Sequence, residues 1–245
     1  MRRADGGAAG EGVGAMAVLE PEKRMIAEAR KAFFVMFGLL AVVWIVQLVN
    51  FADDYDLSRD YGVESGEVRT LPGILTAPLL HWSWAHIESN SGPLFIFGFL
   101  AAYRGVARFL GLTLLVAVTS GMAVWLFERG DAETVGASGL IFGYFGYVVV
   151  RGIFDRHLID TLIGIVMAAS FAYMLTVAVP GTPGVSWLGH LGGLVGGVLG
   201  AWLFRERGRR GGKAIEPAPT QGGDGGGGDG SRADLHKELK DLGLL

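Results

Sequence analysis

Apolar runs of membrane-spanning length constrain this chain more than any other feature of its sequence. The first run, residues 33–51, contains 19 residues and no charge. A helix of that length measures roughly 28 Å, which matches the hydrocarbon core of a bilayer. Five further apolar runs cover residues 86–103, 107–127, 136–150, 158–179 and 186–204. We therefore predict an all-α membrane protein with six transmembrane helices.

The composition agrees with this prediction and excludes several kinds of chemistry. Hydrophobic residues make up 51% of the chain and charged residues only 18%, so too few polar side chains exist to cover a soluble globule. The chain has no cysteine, which excludes disulfides, thiolate nucleophiles and cysteine-ligated zinc or iron–sulfur clusters. The net charge is −3 and no basic groove is indicated, so no nucleic-acid partner is predicted.

The distribution of basic residues predicts the orientation of the six helices. Lysines and arginines of one group precede the first run, fill two of the loops and follow the sixth run: Lys23, Arg24, Arg30, Lys31, Arg104, Arg108, Arg151, Arg156, Arg205, Arg207, Arg209, Arg210 and Lys213. The only basic residues in the remaining loops are Arg59, Arg69 and Arg129. Because short cytoplasmic loops retain Lys and Arg, both termini are predicted to be cytoplasmic. The second, fourth and sixth helices then begin at the outer surface, where their free N–H groups gather.

Three regions are predicted along the chain. Residues 1–32 are expected to be a disordered cytoplasmic leader, residues 33–204 the membrane domain, and residues 205–245 a basic and then Gly-rich cytoplasmic tail. Residues 231–245 form either a short helix with a leucine stripe or a frayed end. The outer loop at 52–85 becomes apolar from Leu71 onward, which is typical of a segment lying in the membrane interface.

A serine opens the fourth apolar run. The segment Gly136-Ala137-Ser138-Gly139 follows a polar loop, so the Ser138 hydroxyl is expected in the first helical turn, where backbone N–H groups can bind an oxyanion. A serine in a membrane helix also occurs simply because it allows close packing. The motif alone does not decide between these interpretations.

A histidine lies four residues into the sixth run. His190 could be a packed residue that hydrogen-bonds a neighbouring helix, or a base that accepts a serine proton. Gly193 and Gly197 on this helix, with Gly139 and Gly143 on the fourth, predict a close contact between the two backbones. That contact would bring the imidazole within reach of Ser138.

His86 and Asn90 are four residues apart, so they share one helical face at the start of the second run. They could bind water and lipid headgroups at the interface, or they could donate hydrogen bonds to a developing negative oxygen. Their predicted depth equals that of Ser138 and His190. A nucleophile, a base and oxyanion donors are the constellation that acyl transfer requires.

These motifs together resemble those of the rhomboid family of intramembrane serine proteases. The chain matches the patterns H-x4-H-x3-N, G-x-S-G and H-x2-G-x3-G with His81, His86 and Asn90, with Gly136 to Gly139, and with His190, Gly193 and Gly197. The resemblance covers residues 33–204. It implies a six-helix bundle with a short central fourth helix.

The resemblance also implies roles for individual residues. Ser138 is the nucleophile and His190 the general base of a dyad, and His86, Asn90 and the Ser138 N–H form the oxyanion hole. His81 supports this site, and Phe142, where many members have tyrosine, stacks on His190. The glycines that support the site are Gly136, Gly139, Gly193 and Gly197. Glu88, about 200° around the helix from His86, is expected at the outer interface instead.

The resemblance further implies the partners and the location of the protein. The substrates are membrane proteins, cleaved within or beside a transmembrane helix that unwinds readily and carries small residues at the cleavage site. The protein is a multi-pass protein of the cell membrane that requires no metal or cofactor, and its oligomeric state is left open.

Other functions match the sequence less well. A zinc protease needs H-E-x-x-H, whereas His86-Ile87-Glu88 has the wrong order and spacing. An aspartyl intramembrane protease needs an acid within G-x-G-D, and the only such motif lies in the polar tail at residues 226–229. The serine elbow of α/β-hydrolases fails at Leu140. Two alternatives stay open: an inactive rhomboid-like protein that binds or escorts client helices, and a transporter or proton relay that uses His86 and His190.

Overall fold

The computed structural model describes residues 9–130 and 132–206, and the regular structure in them is almost entirely helical. A single isolated antiparallel bridge joins Val63 to Thr134. The α-helices in this part of the chain are α1 (Ala9–Ala52), α2 (Asp56–Tyr61), α3 (Gly73–Thr76), α4 (Trp84–Ala102), α5 (Val106–Phe127), α6 (Ser138–Asp155), α7 (Leu158–Ser170) and α8 (Trp187–Leu203). Short 3-10 helices cover Val68–Thr70, Ala77–Leu79 and Ala172–Val177. The predicted all-α class is confirmed.

The long helices coincide with the apolar runs of the sequence. Helices α1 and α4 to α8 each overlap one of the six predicted spans. Two stretches, Glu22–Ala52 of α1 and all of α5, are long and apolar enough to cross a bilayer by themselves. Helices α7 and α8 are apolar but shorter. Large apolar side chains remain exposed on the outer faces of this bundle, among them Phe34, Leu110, Leu158 and Ile159.

The N-terminal leader differs from its prediction. Helix α1 begins at Ala9, so residues 9–32 are helical where disorder was expected. Residues 22–32 are rich in Glu, Lys, Arg and Ala, which are strong helix formers, and they continue the first turns of the apolar run without a break. Residues 1–8, the basic and Gly-rich tail after residue 206 and the helix considered at 231–245 lie outside the described residues.

Helix α6, which corresponds to the fourth predicted span, is longer than the sequence predicted. The apolar run ends at Val150, but α6 has 18 residues and continues to Asp155. Arg151, which the charge pattern predicts in a loop, lies inside α6 and is 7% exposed. The guanidinium is accommodated there because its Nη2 donates to Asp160 Oδ1 of α7 at 2.7 Å.

Helix α7, which corresponds to the fifth predicted span, is shorter than the sequence predicted. The run from 158 to 179 becomes α7, which ends at Ser170, followed by the 3-10 helix Ala172–Val177. Phe171, between them, leaves the helical backbone region and packs its ring on Phe97 of α4, with ring centroids 4.9 Å apart. This tertiary contact overrides the continuous apolar pattern.

Helix α6 forms the centre of the bundle. It packs against α4, α5, α7 and α8, and most of its side chains from Gly139 to Val148 are buried. Its ends differ in chemistry, because Ser138 begins the helix and the ionic cluster of Arg151, Asp160 and Arg104 surrounds its other end. Ser138 and Arg151 are roughly 20 Å apart along the axis. The site described next lies at the Ser138 end.

Candidate active site

Backbone hydrogen bonds fix the segment that leads into α6. Val63 and Thr134 exchange two of them, at 3.0 and 2.8 Å. The N–H of Gly136 then donates to the carbonyl of Ala77 at 2.9 Å. Gly136 has φ +127°, a conformation that favours glycine over residues with a side chain. The chain therefore turns sharply at Gly136, two residues before the helix begins at Ser138.

Ser138 is half-buried and lines a small cavity of about 40 Å³. Ser120 of α5, Gly139 of α6, and Ser186 and Gly189 at the start of α8 also line it. Because α6 has no side-chain cap, the N–H groups of its first turn remain available beside the serine hydroxyl.

His190, on α8, is held by two contacts with other parts of the chain. Its ring stacks on Phe142 of α6, with centroids 4.2 Å apart and planes 13° from parallel. Its Nδ1 lies 2.8 Å from the carbonyl oxygen of Val177. Since a carbonyl can only accept, Nδ1 carries the proton and Nε2 is an acceptor. The imidazole, 5% exposed, thus has one fixed orientation and one basic nitrogen for which the described residues offer no hydrogen-bond partner.

Helices α6 and α8 touch backbone to backbone, as their glycines predict. A Cβ atom at Gly193 would overlap the carbonyl of Gly139, and one at Gly197 would overlap the carbonyl of Gly143. The hydroxyl of Ser138 forms no hydrogen bond with His190 among the described contacts. Such bonds are often long before a substrate is bound and tighten afterwards.

The first two turns of α4 carry His86 and Asn90. Ser83 caps this helix, accepting the backbone N–H of His86 at 3.1 Å. Both side chains face Gly136, where a Cβ atom would lie 2.9 Å from His86 Nε2 and 3.8 Å from Asn90 Nδ2. Asn90 is 8% exposed, and its Nδ2 has no hydrogen-bond partner within the described part of the chain. Glu88, on the same turn, is exposed.

His81 lies next to His86 and is fully buried. Its Nε2 accepts the N–H of Ala137, at 3.4 Å, and its ring packs edge-on against His86 with centroids 4.9 Å apart. Burial lowers the pKa of His81 from 6.5 to about 3, so the ring is neutral at physiological pH. Only the neutral ring can accept the Ala137 N–H, so the lowered pKa agrees with the contact.

The structure adds groups that sequence reasoning missed. Ser120 donates to the carbonyl of Gly189 at 2.8 Å, and Ser186 caps α8 while donating to Glu128 at 2.5 Å. Asn50, fully buried on α1, hydrogen-bonds His81. Asn50 was recognisable as an amide inside an apolar run, where polar groups are costly. Ser120 and Ser186 carried no such signal, because serines are common in and beside membrane helices.

Comparison with known proteins assigns the fold to a family. A family model described as Rhomboid domain matches residues 68–207. The chain belongs to the rhomboid family. The resemblance inferred from the three sequence motifs is therefore confirmed, and the matched stretch of this rhomboid includes every motif residue from His81 to Gly197. Helices α1 and α2 precede it.

Individual relatives extend the comparison. The uncharacterized protein Rv1337 of Mycobacterium tuberculosis is 36% identical over 176 residues, which cover 68% of this chain and 73% of the relative. The putative rhomboid protease YdcA of Bacillus subtilis is 29% identical over 183 residues, covering 71% and 89%. The rhomboid protease GlpG of Haemophilus influenzae is 26% identical over 139 residues, covering 56% and 71%.

Proposed function

We propose that this rhomboid is an intramembrane serine endopeptidase that uses Ser138 as nucleophile and His190 as general base. The orientation of His190 carries the proposal. Phe142 and the Val177 carbonyl fix the ring, and its unused Nε2 belongs to a helix packed directly on the helix that Ser138 begins. A neutral imidazole in that state is the group needed to activate a serine hydroxyl.

The proposed reaction proceeds by acyl transfer. Ser138 Oγ attacks the carbonyl carbon of the scissile peptide bond while its proton passes to His190 Nε2. The imidazolium then returns that proton to the departing amine, which leaves an acyl-enzyme. Water then attacks the ester carbonyl and gives its proton to His190. The bond to Ser138 Oγ breaks, Oγ takes the proton back from the imidazolium, and the acid is released.

The oxyanion formed in each step needs donors that are already in place. Asn90 Nδ2, the His86 ring and the Ser138 N–H are the proposed donors. The unpaired, buried Nδ2 of Asn90 supports this assignment, because a buried donor without a partner is costly unless a ligand supplies the acceptor.

The proposed substrates are membrane proteins with a transmembrane helix. We infer that α1 and α4 to α8 span the cell membrane with both termini cytoplasmic, and the exposed apolar side chains of α1, α5 and α7 support this. The cavity beside Ser138 is small, about 40 Å³, and is lined there by Ser120, Gly139, Ser186 and Gly189. A small side chain at the cleavage site therefore suits it, and a large aromatic does not.

Proteolysis in liposomes tests this function. We expect the purified protein to cleave a single-span substrate with alanines near its outer end, and the Ser138→Ala and His190→Ala variants to lose at least about 1,000-fold in rate. His157→Asn is the matched control, because it alters a histidine at the other end of the bundle and keeps a residue suited to capping α7. Substrate that is bound but left uncleaved by the wild type would contradict the proposal.

A further inference from the structure

Asn50 is a fully buried amide near the end of α1 with all its groups engaged. Its Nδ2 donates to Ser58 Oγ at 2.8 Å and to the carbonyl oxygen of His81 at 3.0 Å. Its Oδ1 accepts the backbone N–H of Ser58 at 3.1 Å. Asn50 therefore ties three parts of the chain together: α1, α2 and the segment that precedes α4.

The contact with His81 connects Asn50 to the proposed oxyanion hole. Asn50 holds the main chain of His81, and the ring of His81 then contacts both sides of the hole. One side is the Ala137 N–H, adjacent to Ser138, and the other is the ring of His86. A shift of the His81 backbone would therefore move both sides together.

We propose that Asn50 is a positioning residue of the active site, through which α1 sets the place of His81 and, by way of it, of His86 and the Ser138 N–H. This inference rests on the proposed function. Asn50 and its partner Ser58 both precede residue 68, where the match to the family model begins. Asn50 and Ser58 therefore lie outside the region that the family model matches.

The chain offers a closely matched control for Asn50. Gln47 lies one turn earlier on the same helix and is also fully buried, but neither of its amide atoms has a hydrogen-bond partner among the described residues. Replacing either residue with alanine removes a buried amide from the same face of α1. Only Asn50→Ala removes a link to the site.

Kinetics of the two variants in liposomes test the role. We expect Asn50→Ala to lower kcat about 10- to 100-fold with KM within about twofold, since small displacements of catalytic groups cost rates of this order. Gln47→Ala is expected to retain kcat within about twofold. Equal losses of kcat in the two variants would overturn the proposal.

A double-mutant comparison separates positioning from a general structural role. Because Asn50 is proposed to position both His86 and the Ser138 N–H, Asn50→Ala is expected to cost at least about threefold less kcat in a His86→Ala background than in the wild type, since one of the two positioned groups is already gone. A merely structural effect would repeat the full loss in that background, and this result would overturn the proposal.

Two further measurements keep the result decisive. Should Asn50→Ala lose its thermal unfolding transition in detergent, Ser58→Ala, which removes one of the hydrogen bonds, is measured instead. We expect it to lower kcat two- to fivefold while keeping a cooperative unfolding transition at a somewhat lower melting temperature, because one buried N–H of Asn50 loses its acceptor; an unchanged kcat would overturn the proposal. Failure of the proposed function is distinguishable, because wild-type cleavage would then be absent or insensitive to Ser138→Ala.

Discussion

Asn90 combines burial with an unused donor, which is uncommon for an amide in a folded protein. Its Nδ2 lies near Gly136, two residues before Ser138. In the proposed mechanism this donor gains an acceptor only once an oxyanion has formed. Its contribution should therefore appear in the rate of the reaction and not in substrate binding.

Asn90→Ala is expected to lower kcat about 100- to 1,000-fold, or about 3 to 4 kcal/mol of transition-state stabilisation, with little change in KM. Steady-state cleavage of the single-span substrate measures both constants. A loss confined to KM would show that Asn90 binds substrate uniformly and does not stabilise the oxyanion.

His81 should make the stability of the fold depend on pH. Its pKa is about 3 in the folded protein and ordinarily 6.5. Between these two pH values the His81 ring is protonated in the unfolded chain and neutral in the folded chain. Stability is then lost as pH falls, by about 2 kcal/mol between pH 7.5 and 5 from this group alone. His81→Gln is expected to remove that component. Unfolding in detergent at both pH values measures it, and an equal pH dependence in variant and wild type would contradict it.

At the scale of residues, the sequence predicted the groups that are chemically out of place in a membrane. Four groups were recognised in this way: Ser138, His190, His86 and Asn90. In the structure they lie near the N-terminal ends of α6, α8 and α4. The Val177 carbonyl that orients His190 could not be predicted, because every residue has a carbonyl and only tertiary packing selects one.

Helices α6 and α8 depend on glycine for their separation. The carbonyls of Gly139 and Gly143 occupy the space that side chains at Gly193 and Gly197 would need. This close approach places a serine and a histidine, carried by the two helices, at the same end of the bundle.

Gly197→Ala is expected to destabilise the fold by about 1 to 3 kcal/mol and to lower kcat about 100-fold, because its Cβ would meet backbone and force the helices apart. Gly38→Ala on α1 is the control, since its Cβ would meet no atom within 4 Å. We expect its stability to lie within about 1 kcal/mol of the wild type. Melting temperature and kcat, measured together, test the pair, and a Gly197→Ala variant matching Gly38→Ala would refute this account of the helix contact.

At the scale of elements, the apolar runs predicted which segments form long helices but not where those helices end. Helix α6 outlasts its apolar run because Arg151 finds Asp160, a partner 9 residues along the chain on another helix. Helix α7 stops early because Phe171 packs on Phe97. Both corrections arise from contacts between helices, which a one-dimensional hydropathy pattern does not contain.

The helical bundle formed by the described residues has two chemically distinct ends. The site of Ser138 and His190 lies at one, and the cluster of Arg104, Arg151 and Asp160 lies at the other. The excess of basic residues on the second side gives the orientation we propose, with the site facing outward.

Single-cysteine labelling tests that orientation, and the absence of native cysteine makes it free of background. We expect Asp60→Cys, on the exposed side of α2, to react with a membrane-impermeant maleimide in intact cells. Lys23→Cys, also exposed, is expected to react only after the membrane is opened. The reverse pattern would contradict the proposed topology.

Site-resolved labelling with a fluorophosphonate examines the central claim most directly. Three serines line the cavity, Ser120, Ser138 and Ser186, and His190 can activate only the one that its Nε2 reaches. We predict that peptide mass spectrometry will find the phosphonyl adduct on Ser138 alone and that His190→Ala will abolish it. An adduct on Ser120 or Ser186, or undiminished labelling of His190→Ala, would contradict the account.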